Sequence, residues 1–322
     1  MMKRPWFLVV LIALASVASA QSYPTRPIRL IVPYPPGGGT DTVARLIAQP
    51  LTERLGQQVV VDNRGGASGI IGTDMGARAA PDGYTLVFCL PASVSVNPTY
   101  YQNLPYDPAR DFAPVIQLNT IALLLVTTPS LPASNVNELI ALARAKPGQF
   151  NFASSGNGSA AHLAMELFNM MAGVKMVHVP YKGGGPALTD IISGQMHMMS
   201  GPLIAALPHV KSGRIRAMAV TTERRVKGLP EVPTIAESLP GYESSIWHGV
   251  VVPRGVPVAV VNRLNREIGE ILKIPEVQSR LDSQGAEPVG GTPGKFAALI
   301  KSDTAKYAKL LRDVGLAGSA RR

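Results

Sequence analysis

The chain has 322 residues, of which 46% are hydrophobic and 16% charged, with a net charge of +10. A chain of this length can bury a sizeable core and favours two lobes over one. The basic residues are scattered and nowhere alternate with stacking aromatics, which argues against nucleic acid; the charge points to anionic ligands or to solubility.

Lys3 and Arg4 precede an apolar run from Trp6 to Ala15, and "SVASA" ends on small residues at Ala18 and Ala20. This is the pattern of a secretory signal peptide cut between Ala20 and Gln21. The run is too short to span a bilayer comfortably, and nothing later reaches about 18 uninterrupted apolar residues. No cysteine lies near the cut to carry a lipid, so a soluble exported protein is expected. Cys89 is the only cysteine, which leaves no internal disulfide. It sits in the strand-like "TLVFCL" and reads as a buried thiol rather than a nucleophile.

"IRLIV" is a strand that stops at Pro33 and opens into "PYPPGGGTD". A helix over Asp41–Leu55 follows, with an apolar stripe of Val43, Leu46, Ile47, Leu51 and Leu55. "QVVVDN" is a second strand, and "RGGASGIIGTDMGARA" is another glycine-rich entry to a helix. "GYTLVFCL" is a third strand, with "PASVSVNP" as its loop. "LPYDPARDFAPV" is proline-rich and polar and reads as a long connection. "IALLLVTTPSL" is strand-like and opens a second series. A helix lies in "NVNELIALARAKPG", and strand, loop and helix recur in "FNFASSGNGSAAHLAMELFNMMAGV" and "KMVHVPYKGGGPALTDIISGQM". After "IRAMAVTTERR" and the proline-rich "LPEVPTIAESLPGYE" comes the strand "SSIWHGVVVP". Two tail helices run from Val258 to Lys273 and from Pro293 to Val314, with "GAEPVGGT" between them.

This alternation predicts α/β lobes on largely parallel sheets. Residues 21–124 and 226–322 are expected to form one lobe and 125–225 the other, with 1–20 as the signal segment. The chain would cross between lobes twice, at "IALLLVTTPSL" and "AMAVTTERR", making a hinge with a ligand in the cleft. Trp247, the only tryptophan after the signal segment, would then lie near the hinge or the cleft wall.

Five junctions are rich in small residues: Pro35–Asp41, Gly65–Gly72, Pro91–Ser95, Ser154–Ser159 and Lys182–Gly185. In an open parallel sheet such junctions lie at the carboxyl ends of the strands, where ligands bind. Small residues let a ligand approach backbone N–H groups, and helix starts add unpaired donors. The Walker pattern is absent, and the dinucleotide pattern fails because residue 42 is Thr. A carboxylate fits such a site better than a nucleotide phosphate. Ser159 is placed as an N-cap, with His162 and Glu166 on one helix face. A serine hydrolase using Ser154 or Ser155 with His162 is the enzymatic alternative, but no G-x-S-x-G elbow occurs. Asp41, at a helix start, would organise its loop rather than act as an acid. No metal is expected, because none of the five histidines forms H-E-x-x-H or lies in a carboxylate cluster. Lys182 is the one cation inside a glycine loop.

Taken in order, "YPTRPIRLIVPYPPGGGTDTVARLIAQPL", "VVVDNRGGASGIIG", "SSGNGSAAHLAMELF", "VPYKGGGPALTDIISGQ", "LPHVKSGRIRAMAVTTERR" and "WHGVVVPRGVP" resemble the Bug family. These are extracytoplasmic solute-binding proteins of tripartite tricarboxylate transporters. The resemblance implies a two-lobed type II periplasmic-binding-protein fold, a Venus flytrap, with no catalysis and no cofactor. It implies a periplasmic monomer that delivers a small organic acid to a membrane permease; presenting the acid to a sensor kinase is the alternative. It also implies that the acid's carboxylate is gripped by Tyr34, Pro36, Gly38, Gly39, Thr40 and Asp41 in one lobe. In the other, the grip would come from Ser154, Ser155, Gly156, Gly158 and Ser159. His162, Lys182, Gly69 and Ser93 match further cleft positions. The chain departs from many relatives at "MMSGPL", where Ser200 and Gly201 stand in place of an acidic or amide residue. That departure disfavours an amino-acid ligand.

Overall fold

The computed structural model describes residues 23–181 and 183–320. The expected signal segment and Lys182 lie outside the described residues. The chain first lays down strands β1 (Ile28–Val32), β2 (Val59–Asn63), β3 (Thr85–Cys89) and β4 (Phe112–Ile121). It then builds a second sheet from β5 (Leu123–Thr127), β6 (Asn151–Ser154), β7 (Val177–Pro180), β8 (Met198–Pro202) and β9 (Arg216–Val220). Strands β10 (Ile246–Pro253) and β11 (Ala286–Pro288) return to the first sheet. The strand orders are β11-β4-β10-β3-β1-β2 and β7-β6-β8-β5-β9.

Both sheets are mixed rather than largely parallel. Strand β1 runs parallel to β2 and β3, and β6 to β7 and β8, but β10 and β5 run antiparallel to their neighbours. The cause lies in the crossing. Strand β4 ends at Ile121 and β5 begins at Leu123, so one nearly continuous strand serves both sheets. In the first sheet it runs with β1 and β3, and the strand reversed between it and β3 is β10, which returns from the second lobe; in the second sheet β5 itself runs against β6 and β8. The return crossing is not short: residues 221–245 separate β9 from β10, with a turn of 3-10 helix at Ile235–Glu237. Leu229, Val232, Ile235 and Tyr242 from that return pack into the second lobe's cores, although 226–322 was expected to belong to the first lobe.

"DFAPV" is not a connection but the start of β4, despite Pro114. Proline cannot donate to a ladder and survives only at edges or irregularities. Pro114 pairs with Val251 beside a register shift, and on β4's other flank β11 reaches only Asn119–Ile121. "PASVSVNP" is not an open loop either. It winds into a π-helical turn, Ala92–Val96, and then helix α3 (Asn97–Tyr100).

The flanking helices follow the expected periodicity. In α1 (Gly39–Leu55), Val43, Ile47, Leu51 and Leu55 are buried on the first sheet, while Leu46 is only partly buried. Helix α9 (Val258–Ile271) buries Leu264 and Ile268 in the same core. Each such aliphatic side chain contributes about 1.5–3 kcal/mol by leaving water. A helix over Pro275–Asp282 and strand β11 fill the stretch between the two tail helices.

The last helix, α11 (Pro293–Asp313), ties the lobes together. Near its start, Phe296 packs on Trp247 in the first lobe. A Cβ at Gly249 would sit 2.1 Å from Phe296 Cζ, so this seat requires glycine. Near its end, Tyr307, Leu310 and Leu311 join Leu163 and Phe168 of the second lobe.

Trp247 is neither at a hinge surface nor on the cleft wall. It is 1% exposed, and its Nε1–H donates to Asp303 Oδ2 at 2.6 Å. An indole so enclosed does not report on solvent in the cleft. Saturating ligand is therefore expected to leave Trp247 emission fixed while the radius of gyration measured by X-ray scattering falls. A saturable emission shift would contradict this placement.

Candidate functional site

The parallel strands β1, β3, β6 and β8 point their carboxyl ends toward one gap between the lobes. Strands β4 and β5 meet at that gap. A cavity of about 800 Å³ occupies it. Two helix starts open onto it, one from each lobe: Gly39 and Thr40 of α1, and Ala160, next to Gly158, of α6 (Ala160–Ala172). The first N–H groups of each helix have no intrahelical partner. Together with the helix dipole they favour an anion.

The α1 loop is fastened from behind by Asp41. Its carboxylate accepts from Gly37 N–H at 2.9 Å, Arg45 Nε at 3.1 Å and Asn63 Nδ2 at 3.0 Å. Asn63 also donates to the Tyr34 carbonyl, which ties the loop to β2. Burial by itself would raise the Asp41 pKa, but the Gly37, Arg45 and Asn63 bonds outweigh it and hold the group below the usual carboxylate range. Asp41 is 4% exposed and is not among the cavity-lining residues. Asp41→Asn should therefore cost about 1 kcal/mol of stability through weakened charge-assisted bonds. It should leave ligand affinity within about threefold. Calorimetric titration beside a denaturant melt checks both; a large gain in affinity would show the charge facing the ligand.

Tyr34 lines the cavity, and burial raises its hydroxyl pKa. Gly69 backs it from a left-handed conformation, where a Cβ would lie 3.1 Å from the Tyr34 hydroxyl. Pro36 and Gly38 are exposed on the same loop. Ser93 is fully buried and turned onto its own turn, its Oγ donating to the Leu90 carbonyl at 3.0 Å. It supports the cavity edge at Leu90, Pro91 and Ala92 rather than facing it.

The second-lobe loop spends most of its polar groups on itself. Ser159 caps α6 by accepting from His162 N–H at 3.2 Å. Gly158 N–H donates to His162 Nδ1 at 3.0 Å. Ser154 is fully buried, with Oγ 2.7 Å from His178 Nε2 and in contact with Gly156. The His162 and His178 rings stack at 3.7 Å, with Phe152 beyond His178. Burial, and then the neighbouring His162, lower the His178 pKa to about 4. Sequence reasoning did not find this stack, because His178 lies on a different strand unit from the loop it supports.

A hydrolase built on Ser154 has no reachable nucleophile. Ser155 is exposed but has no histidine partner among the described residues, and the His162 ring accepts from Gly158 N–H through Nδ1 and turns Nε2 toward Glu166. Ser200 is buried, and its Oγ has no partner among the described residues. Among the described residues no three His, Cys, Asp or Glu side chains gather to hold a metal ion.

The remaining walls come from residues that read as core in the sequence. Val96, Ile121, Leu163, Ile204 and Ile246 are apolar, and Ser245, His248, Gln284 and Tyr307 are polar. No described lining residue is an Arg, Lys, Asp or Glu.

The sequence profile of the tripartite tricarboxylate transporter family receptor, TctC, matches residues 43–316. The chain is 40% identical to protein BugT of Bordetella pertussis over 311 residues, 95% of this chain and 95% of that protein. It is similar in structure to R. palustris Rpa4515 with adipate: TM-score 0.77, 40% identity, covering 92% of this chain and 99% of that one. MatC (Rpa3494) of Rhodopseudomonas palustris with bound malate aligns with TM-score 0.73 and 31% identity, covering 90% of this chain and 100% of that one. These solved relatives share the two-domain α/β fold with mixed sheets. The chain belongs to the tripartite tricarboxylate transporter receptor family, with Bug proteins among its relatives.

Proposed function

We propose that this protein captures a small organic acid in the periplasm and delivers it to the permease of a tripartite tricarboxylate transporter. One observation carries the reading: two helix starts, from different lobes, open onto one cavity whose described lining has no charged side chain. A carboxylate there is satisfied by backbone N–H groups and hydroxyls. The adipate and malate bound by two relatives support the same ligand class.

The grip falls to Tyr34, Gly39 and Thr40 on one side and to the start of α6, which Gly158 leads into, on the other. Pro36, Gly38, Asp41, Gly69 and Ser93 shape the first loop and its backing. Ser154, Ser155, Gly156, Ser159 and His162 shape the second, and Lys182, which the resemblance assigns to the cleft, lies outside the described residues. A ligand touching both lobes favours the closed arrangement. No helix among the described residues is long and apolar enough to cross a membrane.

A thermal-shift screen of organic acids tests the reading. An acid at 100-fold its Kd stabilises by about 2.7 kcal/mol. No stabilisation by any mono-, di- or tricarboxylate, aliphatic or aromatic, would sink it. Cross-linking in membranes should then capture the permease; capture of a sensor kinase instead would redirect the delivery step.

A further inference from the structure

The cavity walls go further than a carboxylate grip. Leu90, Val96, Ile121, Leu163, Ile204 and Ile246 surround the space beyond the two helix starts. Ile121 and Ile246 are direct cross-strand partners, so they form one continuous apolar surface where the lobes join. A compact acid with several charges would set its extra carboxylates against this surface. An ionised group buried without a partner carries a heavy desolvation cost. An apolar carbon body gains there instead.

One polar side chain interrupts the wall. His248 lines the cavity, is 3% exposed, and makes no side-chain hydrogen bond to any described residue. Its Nδ1 is sealed away without a partner, as are both side-chain polar atoms of Asn119, its cross-strand partner; Nε2 is not sealed in and bonds no described residue, so it is the ring nitrogen open to the cavity. Buried polar groups in folded proteins are nearly always hydrogen-bonded, so an unpaired one beside a cavity points to a ligand.

Resting on the carboxylate reading above, we propose that the bound acid has a mainly apolar body, a saturated chain or aromatic ring, and that His248 hydrogen-bonds a neutral polar substituent on it. Burial lowers the His248 pKa to about 4, so near neutral pH the ring is uncharged and both donates and accepts. That suits a hydroxyl or a carbonyl.

Calorimetric titration with five acids tests this: hexanoate, phenylacetate, para-hydroxyphenylacetate, malate and citrate. Hexanoate and phenylacetate should bind at least roughly tenfold more tightly than malate and citrate. His248→Phe should weaken para-hydroxyphenylacetate by roughly three- to tenfold and leave phenylacetate within about twofold. Ile204→Ser changes an exposed residue at the cavity rim and spares the core. It should weaken hexanoate by roughly fourfold or more, the effect of losing about one buried methylene. Malate or citrate binding as tightly as hexanoate would overturn the apolar-body inference and leave the carboxylate reading standing. Equal losses for phenylacetate and its hydroxylated form in His248→Phe would overturn the role of His248. Binding of none of the five would count against both readings.

Discussion

Acidification from about pH 7 to about pH 5 is expected to destabilise the protein steeply, well before its carboxylates protonate. Two buried imidazoles cause this. His248 has a folded pKa of about 4 because burial disfavours its charge. His178 is lowered to about 4 by burial and by stacked His162. In the unfolded chain both titrate near about 6.5. Below that value the unfolded state binds protons that the folded state refuses, so stability is present above about pH 6.5 and is lost as pH falls toward about 4. Each refused proton costs about 1.4 kcal/mol per pH unit. Across its window His248 alone accounts for roughly 3 kcal/mol. His178 is only partly buried and contributes less. Asp41 and Asp62, whose pKa values are lowered, act only at still lower pH. Urea midpoints measured across the range would show the slope, and His248→Phe should flatten it by about one proton. A profile level from about pH 7 to about pH 5 would refute the assignment of buried neutral histidines.

Gly158→Val is expected to reduce affinity for the bound acid by roughly tenfold or more. Gly158 sits at φ +71, a left-handed conformation that costs other residues about 1–2 kcal/mol. A Cβ there would lie 3.1 Å from the Tyr100 ring, so the loop would have to shift. Its N–H orients His162, and the start of α6 follows directly. A shift therefore moves the donors of one whole lobe away from the carboxylate. Ser159→Ala is the milder companion. It loses the cap to His162 N–H, about 1 kcal/mol of helix stability, with a smaller loss of affinity. Affinities must be compared below the melting range of both variants. Unchanged affinity in both would remove this loop from the binding site.

The strand, glycine loop and helix units were legible in the sequence because their causes are local. Gly37, Gly39 and Asp41 announce a turn and a helix start within a few residues, and Ser159 announces its cap in the same way. Two lobes could be read because two such series are separated by a proline-rich stretch. The convergence of Gly39–Thr40 and Gly158–Ala160 on one cavity follows from the rule that parallel strands present their carboxyl ends together.

What only the tertiary structure decided depends on partners distant in the chain. Pro114 reads as a strand breaker until β11 is seen to stop short of it. Trp247 reads as a hinge reporter until Asp303 and Phe296 enclose it from the far end of the chain. The periodicity of α11 says which face is buried but not that Phe296 meets one lobe and Tyr307 the other. Ile121, Ile246 and His248 carry no local mark of a binding wall, since an apolar strand residue looks the same whether it faces a core or a cavity. Sequence encodes the periodicity of each element directly, whereas the cavity exists only where two sheets and their crossing strand meet, and that meeting is set by packing over the whole chain.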